Sequence, residues 1–127
     1  MAKPTKEEAI IRNGIISALR RYFSRCHIRR EVLAAAVHPT KKGKRGGKLY
    51  TCNLCKSVVP SSNIQVDHAD PVIPVDKTNY EMTLDEYVDR LFWCSKDNFQ
   101  ALCVDCHTKK SSKEKSARAK ARKAKNK

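Results

Sequence analysis

Two pairs of cysteines have the spacing expected of ligands to one metal ion. Cys52 and Cys55 form a C-x-x-C pair, and Cys103 and Cys106 form a second one. Two residues between thiolates let both sulfurs reach the same ion in a tight turn, and two such pairs complete the tetrahedron that Zn²⁺ prefers. The sequence therefore predicts a structural zinc ion held by these four cysteines.

A disulfide framework is the alternative use of these cysteines. It would require an exported chain, and residues 1–8 show no apolar stretch behind a basic start, as a signal peptide would. Residues 56–102 separate the two pairs, more than the roughly 15–20 residues of a zinc ribbon, so this segment must carry structure of its own. Cys26 and Cys94 have apolar neighbours and are expected in the core.

Four polar residues close to the cysteine pairs could form a hydrolytic site: Asp67, His68, Asn98 and His107. Adjacent strand residues point in opposite directions, so Asp67 can face a metal while His68 addresses a water molecule. One carboxylate and one imidazole, from Asp67 and His107, would leave positions of a divalent metal open for phosphate oxygen and water. A neutral His68 would suit a general base near neutral pH.

Each of these residues also has an ordinary interpretation. Asp67 alone would be a strand-end carboxylate, and Asn98 alone would be a cap. A lone histidine is most often a surface or core residue, which is what we expect of His27 and His38. The joint placement of the four residues is what favours a site.

In order along residues 50–110, the chain carries C-x-x-C, Asp-His, and Asn-Phe-Gln-x-Leu-C-x-x-C-His-x-x-Lys. This set resembles the HNH endonuclease family. The resemblance implies a β-hairpin followed by a helix around a single divalent metal, Mg²⁺ or another such as Mn²⁺. It further implies that Asp67 and His107 are the metal ligands, that His68 is the general base, and that Asn98 ties the loop and orients the base.

The chain departs from the family pattern in three places. The stretch between His68 and Asn98 is long and contains an extra predicted helix. Ala69 stands where the family often has a larger apolar residue. Asp70 adds a carboxylate that is either a spare ligand or solvated, whereas the Asp-His-x-x-Pro opening, ending at Pro71, is retained.

The net charge of +14 is unevenly distributed. Residues 1–50 carry 13 Lys and Arg against 3 Glu, residues 51–107 carry 4 against 9 acidic residues, and residues 108–127 carry 10 against a single Glu. An acidic middle between two basic arms suggests a cation-holding segment delivered to a polyanion, so nucleic acid is the expected partner, and the resemblance implies DNA. The residues expected to contact phosphates are Arg20, Arg21, Arg25, Lys109, Lys110 and Lys113.

The pattern of apolar residues predicts two helices in the N-terminal arm. The first begins with a capping box of Thr5 and Glu8. Its expected inner face comprises Ile11, Ile15, Ala18, Leu19, Tyr22, Phe23 and Cys26. The second covers about residues 29–37 and ends before His38-Pro39. Residues 40–48, rich in Lys and Gly, are expected to form a flexible basic linker.

Residues 49–59 are expected to be extended and to pair, through a turn at residues 60–63, with a strand at residues 64–66. A short helix is predicted from the Thr83 cap to Trp93, and another from about Cys103 into the tail. The tail has almost nothing to bury from Ser111 onward, so it is expected to be frayed or disordered until it meets a partner. The inner face of the short helix is expected to comprise Leu84, Tyr87, Val88, Leu91 and Phe92.

These elements predict an α+β fold, and the resemblance implies that residues 49–115 form a small ββα-metal core with structural zinc. A helical arm at 1–39 and the linker at 40–48 precede it, and a basic helical or disordered tail at 116–127 follows it. The expected function is a metal-dependent endonuclease that nicks DNA or cleaves both strands. The alternative is a non-catalytic, zinc-stabilised nucleic-acid-binding protein, either a degenerate HNH fold or a ribosome-associated module.

The resemblance also suggests a biological setting. Compact HNH nucleases are frequent in phage genomes, where a packaging protein would be a second partner. We expect no membrane association, because the longest apolar run, residues 32–37, is far shorter than a membrane span of about 20 residues. The expected location is the cytoplasm.

Overall fold

The computed structural model describes residues 4–125, apart from the side chains of Asn79 and Lys125. The chain is α+β, as predicted. Its helices are α1 (Lys6–Phe23), α2 (His27–Ala36), α3 (Leu84–Phe92) and α4 (Val104–Lys125). Its strands are β1 (Val37–Lys42), β2 (Lys48–Thr51), β3 (Val58–Pro60), β4 (Ile64–His68) and β5 (Phe99–Cys103). No helix within the described part of the chain has the length and apolarity needed to traverse a bilayer.

The predicted start of α1 is confirmed. The Thr5 hydroxyl accepts a hydrogen bond from the Glu8 backbone N–H, and the Glu8 carboxylate accepts one from the Thr5 N–H. Two otherwise free donors at the helix start are thereby satisfied.

The predicted inner face of α1 is partly wrong. Phe23, Cys26 and Ile16 are buried and Leu19 packs against them, whereas Ile11, Ile15 and Tyr22 are exposed. Ala18 is exposed as well. The buried side of α1 is the one that packs against Tyr87 and Leu91 of α3.

The segment predicted as a flexible linker is instead a β-hairpin. β1 pairs antiparallel with β2, and β2 pairs antiparallel with β3. The turn closes through a hydrogen bond from the Gly43 N–H to the Gly47 carbonyl at 2.7 Å, and Gly46 has a φ of 75°, which glycine adopts without steric cost. α2 ends at Ala36, one residue before its predicted end, since Val37 already belongs to β1.

The predicted pairing of the strand at residues 64–66 is also wrong. β4 pairs with β5, far along the chain, in a register that sets Asp67 opposite Gln100 and His68 opposite Phe99. β2 and β3 pair with each other in the other sheet, in which β3 is an edge strand. The two sheets touch where the Asn53 N–H donates to the Ala101 carbonyl at 2.8 Å.

Helix α3 follows its prediction. The Thr83 hydroxyl accepts from the Glu86 N–H at 3.0 Å, and Tyr87 and Leu91 are buried in the main core. That core consists of Ile16, Phe23, Cys26, Tyr87 and Leu91. The expectation of a buried side chain is therefore confirmed for Cys26, whereas Cys94 is only half-buried.

Helix α4 continues through the tail to Lys125, which agrees with the helical alternative and not with a frayed or disordered tail. Lys, Arg, Ala and Glu are all good helix formers, and Lys110 pairs with Glu114 one turn away. Farther along, the Arg118 guanidinium donates to the Ile73 carbonyl at 2.6 Å and to the Pro74 carbonyl at 3.2 Å. These bonds anchor the helix to the segment that follows β4.

The orientation of α1 gives a matched pair of substitutions. Ile16 is 7% exposed and Ile11 is 64% exposed on the same helix. We expect Ile16→Ala to lower the free energy of unfolding by about 2–4 kcal/mol, because it leaves a cavity in the core. Ile11→Ala should change it by no more than about 0.5 kcal/mol. Urea denaturation of the zinc-loaded variants measures both, and equal losses would mean that α1 packs through a different face.

Candidate metal centres and active site

The four cysteines of the C-x-x-C pairs come together in space. Cys52 and Cys55 lie in the loop between β2 and β3, Cys103 ends β5, and Cys106 lies in the first turn of α4. Their sulfur atoms all lie within 4.8 Å of one another. Lys56, with a φ of 65°, closes the tight turn by donating its N–H to the Cys52 carbonyl at 3.0 Å.

The geometry of this cluster fits zinc. With Zn–S bonds of about 2.3 Å, a tetrahedron places neighbouring sulfurs about 3.8 Å apart. The Sγ atoms of Cys55 and Cys103 are 3.7 Å apart. A group of four thiols at this spacing could hold a metal ion, as the sequence predicts.

The ionisation of the cysteines points the same way. Burial opposes ionisation of Cys52, but backbone N–H groups of Cys103, Cys55 and Leu54 lower the pKa of its thiol to about 6. Interactions with the other three sulfurs raise the pKa of Cys106 to about 12. A single thiolate is therefore readily formed and a full set is not, unless a cation offsets the repulsion.

A second group of polar side chains lies between β4 and α4. The Asp67 Oδ1 and His107 Nε2 atoms are 3.8 Å apart, and the Asp67 Oδ2 atom is 3.0 Å from the Lys110 ammonium nitrogen. Gln100, opposite Asp67 in the hairpin, donates from Nε2 to Asp67 Oδ2 at 3.4 Å. Burial lowers the pKa of Lys110, but the hydrogen bonds to Glu114 and Asp67 raise it by more. Lys110 is therefore positively charged in this site at neutral pH.

Asp67 and His107 are close enough to bind one ion together. Two ligands at about 2.1 Å from an ion are about 3.0 Å apart at a right angle and about 4.2 Å apart when opposed, and 3.8 Å falls between these limits. Among the described residues, the cysteine cluster is the one group of three or more His, Cys, Asp and Glu side chains with ligand atoms this close. An ion on Asp67 and His107 would therefore complete its shell with water or with phosphate oxygens.

His68 points to the other face of β4. It is 8% exposed, and its ring centroid lies 5.1 Å from those of both Phe23 and Phe99. Its Nε2 is 2.9 Å from the Leu91 carbonyl, which can only accept, so the neutral ring carries its proton on Nε2.

The environment of His68 favours its neutral form. Burial lowers the pKa of the imidazole below 6.5, more than the Leu91 carbonyl and Asp67 raise it. Lys110 and Arg20 add to the lowering. A histidine of this kind can accept a proton at neutral pH through Nδ1.

Asn98 ties down the loop that follows His68. Its Oδ1 accepts from the Asp70 N–H at 2.7 Å, its Nδ2 donates to the Asp70 carbonyl at 3.2 Å, and its own carbonyl accepts from the Ala69 N–H at 2.7 Å. The structure thus holds the backbone beside His68 against the start of β5.

The Asp70 side chain is 69% exposed, which agrees with the solvated alternative. It forms a salt bridge with Arg90 at 3.0 Å, and Arg90 also donates to the carbonyls of Pro71 and Val72. These contacts fasten the segment after β4 to α3.

Of the six basic residues predicted to contact nucleic acid, Arg20 and Arg21 lie in the last turn of α1 and Arg25 lies in the turn between α1 and α2, whereas Lys109, Lys110 and Lys113 lie on α4. Five of them are exposed, although Arg20 also donates from Nε to the Tyr87 hydroxyl at 2.9 Å. Lys110 differs, because its charge is engaged by two carboxylates.

Sequence reasoning missed several contributors. The roles of Gln100 and of the Leu91 carbonyl depend on strand register and helix packing, which leave no local signal. Glu114 did have a local sequence signal, since it lies four residues after Lys110, the spacing at which two side chains meet on one face of a helix. A cavity of about 970 Å³, lined by residues that include Val32, Trp93 and Gln100, was also missed.

The two histidines outside the family pattern are ordinary residues in the structure. His27 is exposed at the start of α2. His38 accepts hydrogen bonds at Nδ1 from the N–H groups of Thr40 and Lys41.

Comparisons with family models, with curated proteins and with solved structures find no match to this chain.

The cysteine cluster predicts a tight link between metal and fold. We expect the purified chain to contain one zinc ion, and Cys103→Ser to lose that ion and unfold, because the two sheets are joined through it. Cys94→Ser is the matched control, since Cys94 lies outside the cluster. Elemental analysis and circular dichroism measure the outcome. A folded Cys103→Ser variant without metal would refute the structural role.

His68 predicts a particular pH dependence of stability. Its pKa is lowered in the folded state, so the neutral imidazole contributes stability that is complete above pH 6.5 and lost as the pH falls through the lowered value. We expect His68→Gln to flatten the loss of unfolding free energy between about pH 7 and pH 5. His27→Gln, at an exposed histidine, should keep the wild-type slope. Parallel slopes for all three proteins would contradict the burial of His68.

Proposed function

We propose that this chain is a metal-dependent endonuclease of the HNH kind that hydrolyses DNA phosphodiester bonds. In this proposal β4, β5 and α4 form the ββα-metal core. The observation that supports it best is the arrangement of three polar side chains around the end of β4. Asp67 and His107 lie 3.8 Å apart on one face of β4, and the next residue, His68, carries a neutral imidazole on the other face.

The proposed metal site consists of Asp67 and His107, with Mg²⁺ or Mn²⁺ as the ion. When bound, such an ion polarises the scissile phosphate and stabilises the leaving oxygen. The donor set, one carboxylate oxygen and one imidazole nitrogen, suits a hard or borderline divalent cation. Gln100 holds the Asp67 carboxylate in place from the opposite strand.

His68 would be the general base. The Leu91 carbonyl holds the proton on Nε2, which leaves the lone pair of Nδ1 to take a proton from water. Asn98 would act through the backbone, by fixing the loop that begins directly after His68.

The zinc cluster and the basic helices would have supporting roles. The cluster joins the loop between β2 and β3 to the start of α4, which carries His107. The exposed basic residues on α1 and α4 would hold phosphates along the strand, with an affinity that falls steeply as salt rises. Contacts of this type carry no sequence information.

A non-catalytic, zinc-stabilised nucleic-acid-binding protein is the second candidate. Two observations favour it: the carboxylate of Asp67 is already paired with the Lys110 ammonium, and His68 is largely covered by Phe23. Both candidates fit the basic arms, but only the nuclease requires Asp67, His68 and His107 for its activity.

A plasmid-nicking assay with Mg²⁺ or Mn²⁺ separates the two candidates. We expect the wild-type chain to convert supercoiled DNA to the open-circle form, and His68→Ala to reduce the rate by about 10²–10⁴-fold while keeping its zinc. His27→Ala, at an exposed histidine outside the site, should nick like the wild type.

Two results would contradict the proposal. Equal cleavage by wild type and His68→Ala would reject the mechanism. A wild-type chain that carries zinc and binds DNA without nicking it in either metal would favour the binding protein.

A further inference from the structure

Lys110 occupies an unusual position for a residue expected to contact DNA. Its ammonium lies between the carboxylates of Asp67 and Glu114, and the three side chains are 17%, 18% and 24% exposed, respectively. The ammonium nitrogen is 3.0 Å from Asp67 Oδ2, on the same carboxylate whose other oxygen faces His107. A positive charge of the chain itself thus neutralises the carboxylate that a divalent ion would need.

We propose that Lys110 is a built-in cation that occupies the candidate metal site until a divalent metal displaces it, and that Glu114 then holds the displaced ammonium. This inference rests on the proposed metal site of Asp67 and His107. It gives Lys110 and Glu114 a role in setting how much divalent metal is needed to load the site.

Repulsion between cations supports the displacement. A divalent ion bound to Asp67 Oδ1 would share one carboxylate with an ammonium 3.0 Å from Oδ2. Two cations held on the two oxygens of one carboxylate in a half-buried site repel each other strongly, because little water screens them. The ion and the ammonium therefore compete for Asp67.

The helix provides a place for the displaced ammonium. Glu114 lies four residues after Lys110 on α4, so the two side chains share one face of the helix. A lysine has a long flexible stem with a compact charge at its end. Its ammonium can leave Asp67 and keep its bond to Glu114. The displaced ammonium therefore still has a carboxylate partner.

The pairing has a consequence for the metal-free protein. The Asp67 carboxylate is satisfied by Lys110 and Gln100 without any metal. The site is therefore stable when empty of metal, and it loads only when the metal concentration suffices to displace the ammonium.

Binding of Mn²⁺ to the zinc-loaded full chain tests this directly, followed by electron paramagnetic resonance of the free ion and by calorimetry. We expect Lys110→Met to bind Mn²⁺ about five- to tenfold more tightly than the wild type, because the competing cation is gone. Lys113→Met removes the same charge from an exposed position of α4 and should shift the affinity by less than about twofold.

Glu114 is tested in the same assay. Glu114→Gln should weaken Mn²⁺ binding about two- to fivefold, because the displaced ammonium loses its acceptor. In the double variant Lys110→Met/Glu114→Gln, the affinity should equal that of Lys110→Met. A double variant that binds more weakly than Lys110→Met would make Glu114 a metal ligand and overturn its proposed role as the acceptor.

The outcomes distinguish this inference from the proposed function. If wild type and Lys110→Met bind Mn²⁺ equally, and Asp67→Asn abolishes binding, the metal site stands and the competition is refuted. If none of the folded, zinc-containing proteins binds Mn²⁺, both the site and the inference fail. Tighter binding by Lys110→Met than by Lys113→Met supports the inference.

Discussion

Four sulfur atoms meet where the loop between β2 and β3 touches the junction of β5 and α4, and the neighbouring elements take their positions from that point. The pKa of about 12 at Cys106 expresses how strongly the sulfurs resist shared ionisation. A tetrahedrally coordinated cation would remove that repulsion and would join segments that are distant in sequence. Because Cys103 ends β5 and Cys106 begins α4, the same cluster sets the direction in which α4 leaves the sheet.

That direction places α4 against one face of β4 and leaves the other face to α1 and α3. Asp67 therefore lies among polar and charged groups, with His107 and Lys110 on α4. His68, the next residue, lies among the rings of Phe23 and Phe99. Alternation along one strand thus separates a charged environment from an apolar one by a single peptide unit. The consequence is a carboxylate that attracts cations beside an imidazole that stays neutral.

Both basic helices, α1 and α4, contact β4 or the segment that directly follows it. Phe23, near the end of α1, covers the His68 ring, and Arg20 on the same helix donates to the buried Tyr87. On the opposite side, the Arg118 guanidinium of α4 donates hydrogen bonds to the carbonyls of Ile73 and Pro74 in the segment that follows β4. Surfaces that would bind a polyanion are therefore packed directly on the candidate site, and neither is a loosely attached arm.

Local patterns in the sequence were enough to predict the helix caps and the metal-binding turns, because each of these is formed by residues within a short stretch of chain. The capping box of Thr5 and Glu8, the Thr83 cap of α3 and the spacing of the cysteine pairs each depend on residues a few positions apart, and each appears as predicted. For the tail, local patterns left both a helix and a disordered segment open. Its good helix formers were visible, but its anchor, the bond from Arg118 to residues about 45 positions earlier, was not.

The tertiary structure alone decided which elements meet. The strand at residues 64–68 could pair with either an earlier or a later segment, and in the folded chain it pairs with β5. The inner face of α1 depended on which of its sides meets Tyr87 and Leu91 of α3, and the charge balance around Asp67 depended on Lys110 reaching across from α4. Partner choice and cation competition are properties of the assembled chain, because their energies come from groups far apart in sequence, and no local pattern of residues contains them.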